Sequence, residues 1–353
     1  MIRHKTRQIN IGGVKIGGGA PITVQSMCNT DTRNVKATVK QIKALEKAGC
    51  ELVRVAIPNM AAAKVVGEIK RQINIPLIAD IHFDYRAAIE CAKQGVDKLR
   101  INPGNIGSED KIKAIVDIAK KKGLPIRIGV NSGSLEKDIL AKQKGKVTSK
   151  AMVESALRHI KILERYNFYD IIVSIKASDI KRTVSAYKLL AKKVNYPLHI
   201  GITEAGTSWS GTIRSAIGIG TLLALGIGDT IRVSLTANPV EEVKVGWEIL
   251  KSLGLRQRGI TITSCPTCGR TEIDLVKLTK EIEEKTAHIE NPIHIAIMGC
   301  MVNGPGEARE ADIGVVGGKR RGVIFRKGKI IKSVKEKDIV PLLLAEIKNL
   351  LNN

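Results

Sequence analysis

The sequence predicts an α/β chain: a (β/α)8 TIM barrel followed by a smaller α+β domain. Three observations predict it. The chain has 353 residues, more than one ordinary domain of roughly 100–200 residues holds. Over the first 250 residues short β-branched runs alternate with amphipathic helical patterns. After Leu253 that alternation stops. The expected division is 1–252 for the barrel and 253–353 for the second domain.

Eight runs read as barrel strands: 22–27, 52–57, 77–82, 98–102, 125–130, 171–176, 198–203 and 230–235. Helical patterns fall between them, as at 35–48 and 152–166. Parallel strands need crossovers, and eight strand–helix units in this length fit a closed barrel better than an open sheet. Ahead of the first strand, the glycine-flanked stretch 12–19 predicts a tight hairpin capping the barrel floor. In the second domain, strands are expected at 260–264, 293–298, 312–316, 322–326 and 329–331, with helices at 272–285 and 339–349.

Composition narrows the class. Hydrophobic residues make up 43% and charged residues 26%, as in a cored globular protein. The longest nearly apolar run, 217–228, is too short for the roughly 20 residues of a membrane span. The N-terminal residues show no apolar run behind their charges, so no secretory signal and a cytoplasmic location are expected. The net charge is +24, yet aromatic residues are only 3%, so base-stacking platforms are scarce and no nucleic-acid partner is expected. The charge suits small anions better.

Two constellations carry chemistry. Cys28, Cys50 and Cys91 are isolated and read as buried structural residues. Cys265-Pro-Thr-Cys268 ends one predicted strand and Cys300 follows another, so adjacent strands would gather three thiols at one edge. A redox dithiol leaves Cys300 unexplained, and structural zinc wants a fourth ligand that neither loop supplies as His. An iron–sulfur cluster accepts thiolates and can keep one iron weakly ligated. The second constellation is a set of cations near the C-terminal strand ends, where barrels of this kind place their sites. Arg54, Arg100, Arg127, Lys176 and Arg232 fall at equivalent places, beside Asp80, His82, Asn131 and Ser234. Structural ion pairing is the plain alternative; too few acids accompany these cations, and several Arg forks suit a diphosphate. Glu204 is the acid best placed for proton transfer, with partial burial and the cations pulling its pKa in opposite directions.

The stretches QSMCNTD at 25–31, ADIHFD at 79–84, LRINPGN at 99–105, RIGVN at 127–131, GITEAG at 201–206, SCPTCGR at 264–270 and GCMVNGPGE at 299–307 carry a family resemblance. The chain resembles the bacterial 4-hydroxy-3-methylbut-2-enyl diphosphate synthases nearly end to end, without the insertion between domains of plant-type members. The resemblance implies a [4Fe-4S] cluster on Cys265, Cys268, Cys300 and Glu307. Its carboxylate ligand would bind soft iron more weakly than a thiolate and leave one iron accessible. It implies reductive ring opening and dehydration of 2-C-methyl-D-erythritol 2,4-cyclodiphosphate, an oxidoreductase step of the methylerythritol phosphate route to isoprenoids. The five cations would clamp the diphosphate, helped by Asn131 and Ser234. Glu204 would supply a proton, and Asp80 and His82 would orient that region. A flavodoxin or ferredoxin would donate electrons, and a homodimer would share its active site between subunits. The alternative weighed against this is a pterin-binding-synthase-like barrel enzyme with a structural zinc site.

Overall fold

The computed structural model describes residues 2–302, 306 and 309–352. The chain divides into two compact units, Met1–Arg256 and Gln257–Asn353. In the first, β1 (Ile9–Ile11) and β2 (Val14–Ile16) form an antiparallel hairpin. Its turn is Gly12-Gly13, both at positive φ, which glycine adopts without the clash a Cβ would bring. Ile11 and Ile16 pack on Leu52, Ile78 and Ile172, at the start of three barrel strands. The hairpin therefore closes the barrel floor, as its glycines predict.

The barrel strands are β3 (Thr23–Met27), β4 (Leu52–Ile57), β5 (Leu77–Ile81), β6 (Lys98–Ile101), β7 (Ile126–Asn131), β8 (Ile171–Lys176), β9 (His199–Ile200) and β10 (Thr230–Ile231). All pair in parallel, in the order β8-β7-β6-β5-β4-β3-β10-β9, and a bridge from Val173 to Leu198 nearly closes the ring. Strands β9 and β10 are shorter than the expected 198–203 and 230–235. Beyond Ile200 the chain leaves the ladder: Thr203 donates to the Ala177 carbonyl, and Glu204 and Gly206 take positive φ to turn into the next helix. Asn and Asp side chains start many of the helices. Asn34, Asn59, Asp84, Asp179 and Asn238 each accept a first-turn N–H, so each of these βα loops ends where its capping residue stands.

Side-chain alternation separates two environments. Val53, Val55, Leu99, Ile126, Ile128 and Ile175 face the helices and join one large apolar core. Their strand neighbours face the barrel axis, and above the Leu52–Ile78–Ile172 floor those neighbours are polar.

The second unit holds one mixed sheet in chain order: β11 (Ile260–Ser264), β12 (Ile293–Met298), β13 (Ile313–Gly318), β14 (Arg321–Arg326) and β15 (Lys329–Lys335). The first three strands are parallel; the last two pairings are antiparallel. The last strand is longer than expected, because it pairs with β14 along its length. Helices Leu275–Thr286 and Ile339–Leu351 cover one face, where Leu278, Ile282, Leu343 and Ile347 meet Ile293, Ile295 and Ile297.

Candidate active site

The barrel axis carries an excess of buried positive charge. Arg54, Arg100, Arg127 and Lys176 are all at least 92% buried, and Lys98 is fully buried. Arg232 sits half-buried just past β10. The carboxylates facing these six cations are Asp80 and Glu242. Asp80 accepts Arg100 Nη1 at 2.8 Å and pairs with Arg54 Nε and His82 Nε2, each at 3.5 Å. Glu242 pairs with Arg232 at 3.5 Å and accepts the Ser26 hydroxyl and the Leu235 N–H, each at 3.0 Å.

Glycines make room for this crowd. A Cβ on Gly129 would stand 2.7 Å from Arg100 Nη2, and one on Gly201 would stand 2.7 Å from Lys176 Nζ. Real Cβ atoms essentially never approach so closely, so these strand positions are the space the cations occupy.

The electrostatics are unbalanced. Burial pushes the Asp80 carboxyl up, but Arg54, His82, Arg100 and Arg127 outweigh it and hold it well below the usual carboxylate range. Burial, reinforced by neighbouring cations, pushes Lys98, Arg127, Lys176 and His199 down. Among the described residues, Arg127 Nε and Nη1, Arg232 Nε, Lys98 Nζ and His199 Nε2 are buried without a hydrogen-bond partner. Unpaired buried donors are costly, and an anion between them would satisfy several at once.

The sequence-derived set falls into three groups. Arg54, Asp80, His82, Arg100, Arg127, Lys176 and Arg232 come together. Asn131 ends β7 in register with Lys176, and Ser234 stands half-buried beyond β10. The cations do not lie level: Asp80, Arg100 and Arg127 share one row, whereas Lys176 pairs with Asn131, two inward positions further along. Glu204 differs from its expected partial burial. It is exposed and holds φ +52°, a left-handed conformation uncommon outside glycine. Three residues escaped sequence reasoning. Lys98 was readable from its alternation with Arg100. Glu242 was readable as an acid on the apolar helix face shared with Gly246 and Ile249. His199 gave no signal beyond opening a strand.

The thiols stand in the second unit. Parallel pairing sets Ser264 opposite Ile297, so Cys265 and Cys300 leave adjacent strand ends. The Gly299 N–H points at Cys265 Sγ at 3.3 Å, and Glu272 N donates to the Gly299 carbonyl at 3.1 Å. A Cβ on Gly299 would fall 2.8 Å from Thr271 Cγ2, so this approach needs glycine. Cys268 is exposed; the Arg270 backbone N–H, helped by the Arg270 charge, holds its thiol below the usual value. Cys28 and Cys91 are buried with thiols pushed up to about 12, mainly by burial, the profile of inert structural cysteines. Glu307 lies outside the described residues. Among the described residues no three His, Cys, Asp or Glu side chains converge as ligands of a single ion would. A zinc ion needs every sulfur about 2.3 Å away, whereas a four-iron cluster takes each thiolate on a different iron. Three free thiols with a backbone N–H aimed at one sulfur fit an iron–sulfur group.

Residues 6–247 match the family model described as the GcpE TIM-barrel domain, and residues 261–349 match the GcpE protein C-terminal domain. The chain belongs to the GcpE family. A GcpE relative from Caldanaerobacter subterraneus subsp. tengcongensis is 60% identical over 349 residues, covering 99% of this chain and 98% of its own length. One from Clostridium acetobutylicum is 59% identical over 350 residues, covering 99% of this chain and all of its own. Both are named 4-hydroxy-3-methylbut-2-en-1-yl diphosphate synthase (flavodoxin). Against full-length relatives of this kind, the pterin-binding-synthase alternative is not favoured. Among solved structures, an N-acetylneuraminic acid synthetase from Leptospira borgpetersenii overlays with TM-score 0.51 at 15% identity, covering 80% of this chain and 98% of its own. That likeness concerns the fold alone. No helix among the described residues is long and apolar enough to cross a membrane.

Proposed function

We propose that this GcpE-family chain catalyses the reductive ring opening and dehydration of 2-C-methyl-D-erythritol 2,4-cyclodiphosphate to 4-hydroxy-3-methylbut-2-enyl diphosphate. Two electrons enter and one oxygen leaves as water. The observation that carries this reading is the barrel interior, with six cations facing two carboxylates and several buried donors unpaired.

Arg54, Arg100, Arg127, Lys176 and Arg232 hold the diphosphate, with Asn131 and Ser234 adding hydrogen bonds at the rim. Lys98 and His199 add positive charge and a donor beneath them. Fixing both phosphates on rigid strands fixes the carbon skeleton, which removes much of the entropic part of the barrier. Asp80 keeps the Arg54 and Arg100 forks aligned and steadies His82, and Glu242 does the same for Arg232. Glu204 delivers a proton to the departing oxygen; its exposure puts the carboxyl in reach of solvent.

Cys265, Cys268 and Cys300 would hold a [4Fe-4S] cluster, with Glu307 as the fourth ligand. When bound, that cluster supplies the electrons one at a time. The relatives' names point to flavodoxin as the donor. A homodimer that completes the site between subunits, working in the cytoplasm, belongs to the same reading.

The test is anaerobic turnover. Protein reconstituted with iron and sulfide, given the cyclic diphosphate and dithionite-reduced methyl viologen, should release the open-chain diphosphate, read by phosphorus NMR. No product from protein with about four irons per chain would overturn the reading. Glu204→Gln should bind substrate as before and turn over about 10²–10⁴-fold more slowly. Collapse of binding instead would make Glu204 a partner of the cations.

A further inference from the structure

The stretch from Lys319 to Lys337 contains nine Lys or Arg residues and one acid, Glu336. It builds β14, β15 and the turns beside them, a single antiparallel hairpin at the edge of the second sheet. Eight of the nine cations are exposed and Arg326 is half-buried. Among the described residues none of the nine makes an ion pair, whereas Lys280 and Lys285 on the neighbouring helix do. A lysine on an edge strand guards against edge-to-edge pairing, which accounts for Lys332. It does not account for Lys319, Arg320 and Arg321, which crowd the turn at the end of β13.

Placement supplies the reason. Strands β11, β12 and β13 run parallel, so their C-terminal ends share one side of the sheet. Cys265 and Cys300 leave β11 and β12 on that side, and the Lys319-Arg320 turn leaves β13 there too. Arg321 then pairs in register with Lys335. Strands lie about 4.8 Å apart, which sets β14 about 10 Å from the Cys300 strand. Two exposed acids stand nearby: Glu336 Oε1 accepts the Asp274 N–H, and Glu272 lies near Gly318, so the nine cations far outnumber them. Ile330 and Ile331 add exposed apolar surface along the same ribbon.

We propose that this hairpin is the docking surface for an acidic flavodoxin-type electron donor, seating its flavin against the thiol-bearing edge of the sheet. The proposal rests on the function above, since it needs a redox group at those thiols. Opposite charge raises the encounter rate and sets orientation, and both matter for a partner that must bind briefly and close to the thiols. A nucleic-acid partner fits less well. The one aromatic residue in the stretch, Phe325, is buried and offers no face for base stacking.

The test compares Lys319→Glu/Arg320→Glu/Arg321→Glu with a charge-matched barrel variant, Lys43→Glu/Lys121→Glu/Lys122→Glu. A bacterial flavodoxin is titrated into each by calorimetry at two salt concentrations, and turnover is measured with flavodoxin and with reduced methyl viologen. The hairpin variant should lose at least tenfold in flavodoxin affinity and raise the flavodoxin KM in step. Its viologen-driven rate and thermal midpoint should match the unsubstituted protein, and the barrel variant should bind flavodoxin normally. A milder Lys319→Gln/Arg320→Gln/Arg321→Gln variant should fall between. Equal flavodoxin affinity in the hairpin and barrel charge-reversal variants overturns the docking surface, as does loss of RNA binding by the hairpin variant with flavodoxin binding intact. If the unsubstituted protein shows no viologen-driven turnover, the underlying function fails, and the proposal with it.

Discussion

The barrel axis and the thiol edge solve opposite problems. In the barrel, strands hold Arg54, Lys98, Arg100, Arg127 and Lys176, with Arg232 just past β10, and the rest of the fold offsets the cost of burying unpaired charge. At the sheet edge the thiols sit on loops, partly or fully exposed, with the Gly299 N–H aimed at Cys265 and the Arg270 N–H at Cys268. The first region is preorganised and electrostatically frustrated. The second is more open to solvent. The contrast teaches where binding energy would go under the proposed function: an anion in the barrel would satisfy buried donors already in place, whereas a group at the thiols would gather side chains that now face solvent.

That difference can be broken or sharpened by substitution. The largest effect is expected at the thiols. Cys300→Ala should lose iron and its visible absorption, and turnover should fall below detection, while affinity for the cyclic diphosphate stays within about threefold. Iron analysis and calorimetry check both halves; loss of substrate binding would deny that the regions work separately.

Next comes Asp80→Asn. Removing the carboxylate between Arg54, Arg100 and His82 should cost about 3–5 kcal/mol of stability at neutral pH, measured by urea unfolding. The sign with pH follows from the depressed carboxyl. Its stabilisation is fully present above the unfolded Asp value of about 3.9 and is lost as pH falls below that toward the folded value. Asp80→Asn should therefore flatten the acid limb of the stability curve. An unchanged acid limb would mean Asp80 is not the hub of the cation group.

Arg127→Met should separate the two consequences of frustration. Replacing an unpartnered buried cation with an apolar side chain should leave ligand-free stability unchanged or raise it by about 1–4 kcal/mol. Inorganic pyrophosphate affinity should nevertheless fall about 10–100-fold, the loss of one or two charge-assisted hydrogen bonds. A destabilised variant would show that Arg127 is a structural partner instead.

The smallest effect is expected at the exposed loop. Glu204→Gly should relieve the left-handed conformation and stabilise by about 1 kcal/mol while slowing turnover. Thermal unfolding checks the first part, and a stability loss would mean that the Glu204 side chain anchors its loop.

Much of this was legible in the residues. Short β-branched runs between helical patterns marked all eight barrel strands, because strands of a barrel pack one face on helices. The cations were visible because a charge inside such a run has to point at something. Strand ends at Ile200 and Ile231 were not legible; a Cβ at Gly201 would meet the Arg232 carbonyl and Lys176 Nζ, close approaches from other elements that the run itself does not show. Glu242 was readable as an acid on an apolar helix face, but its partner was not: the Ser26 hydroxyl it accepts lies 216 residues away. The exposure of Glu204 was not legible either, because nothing in residues 201–206 marks a left-handed turn at a non-glycine position.

The measurement that bears most directly on the central claim is calorimetric titration of the cyclic diphosphate into iron-free protein, beside Arg127→Met and Cys300→Ala. Micromolar binding that survives iron removal and Cys300→Ala, weakens with salt and falls at least tenfold in Arg127→Met is the predicted result. Equal affinity in Arg127→Met, or binding that appears only when iron is present, would contradict a diphosphate site prebuilt in the barrel.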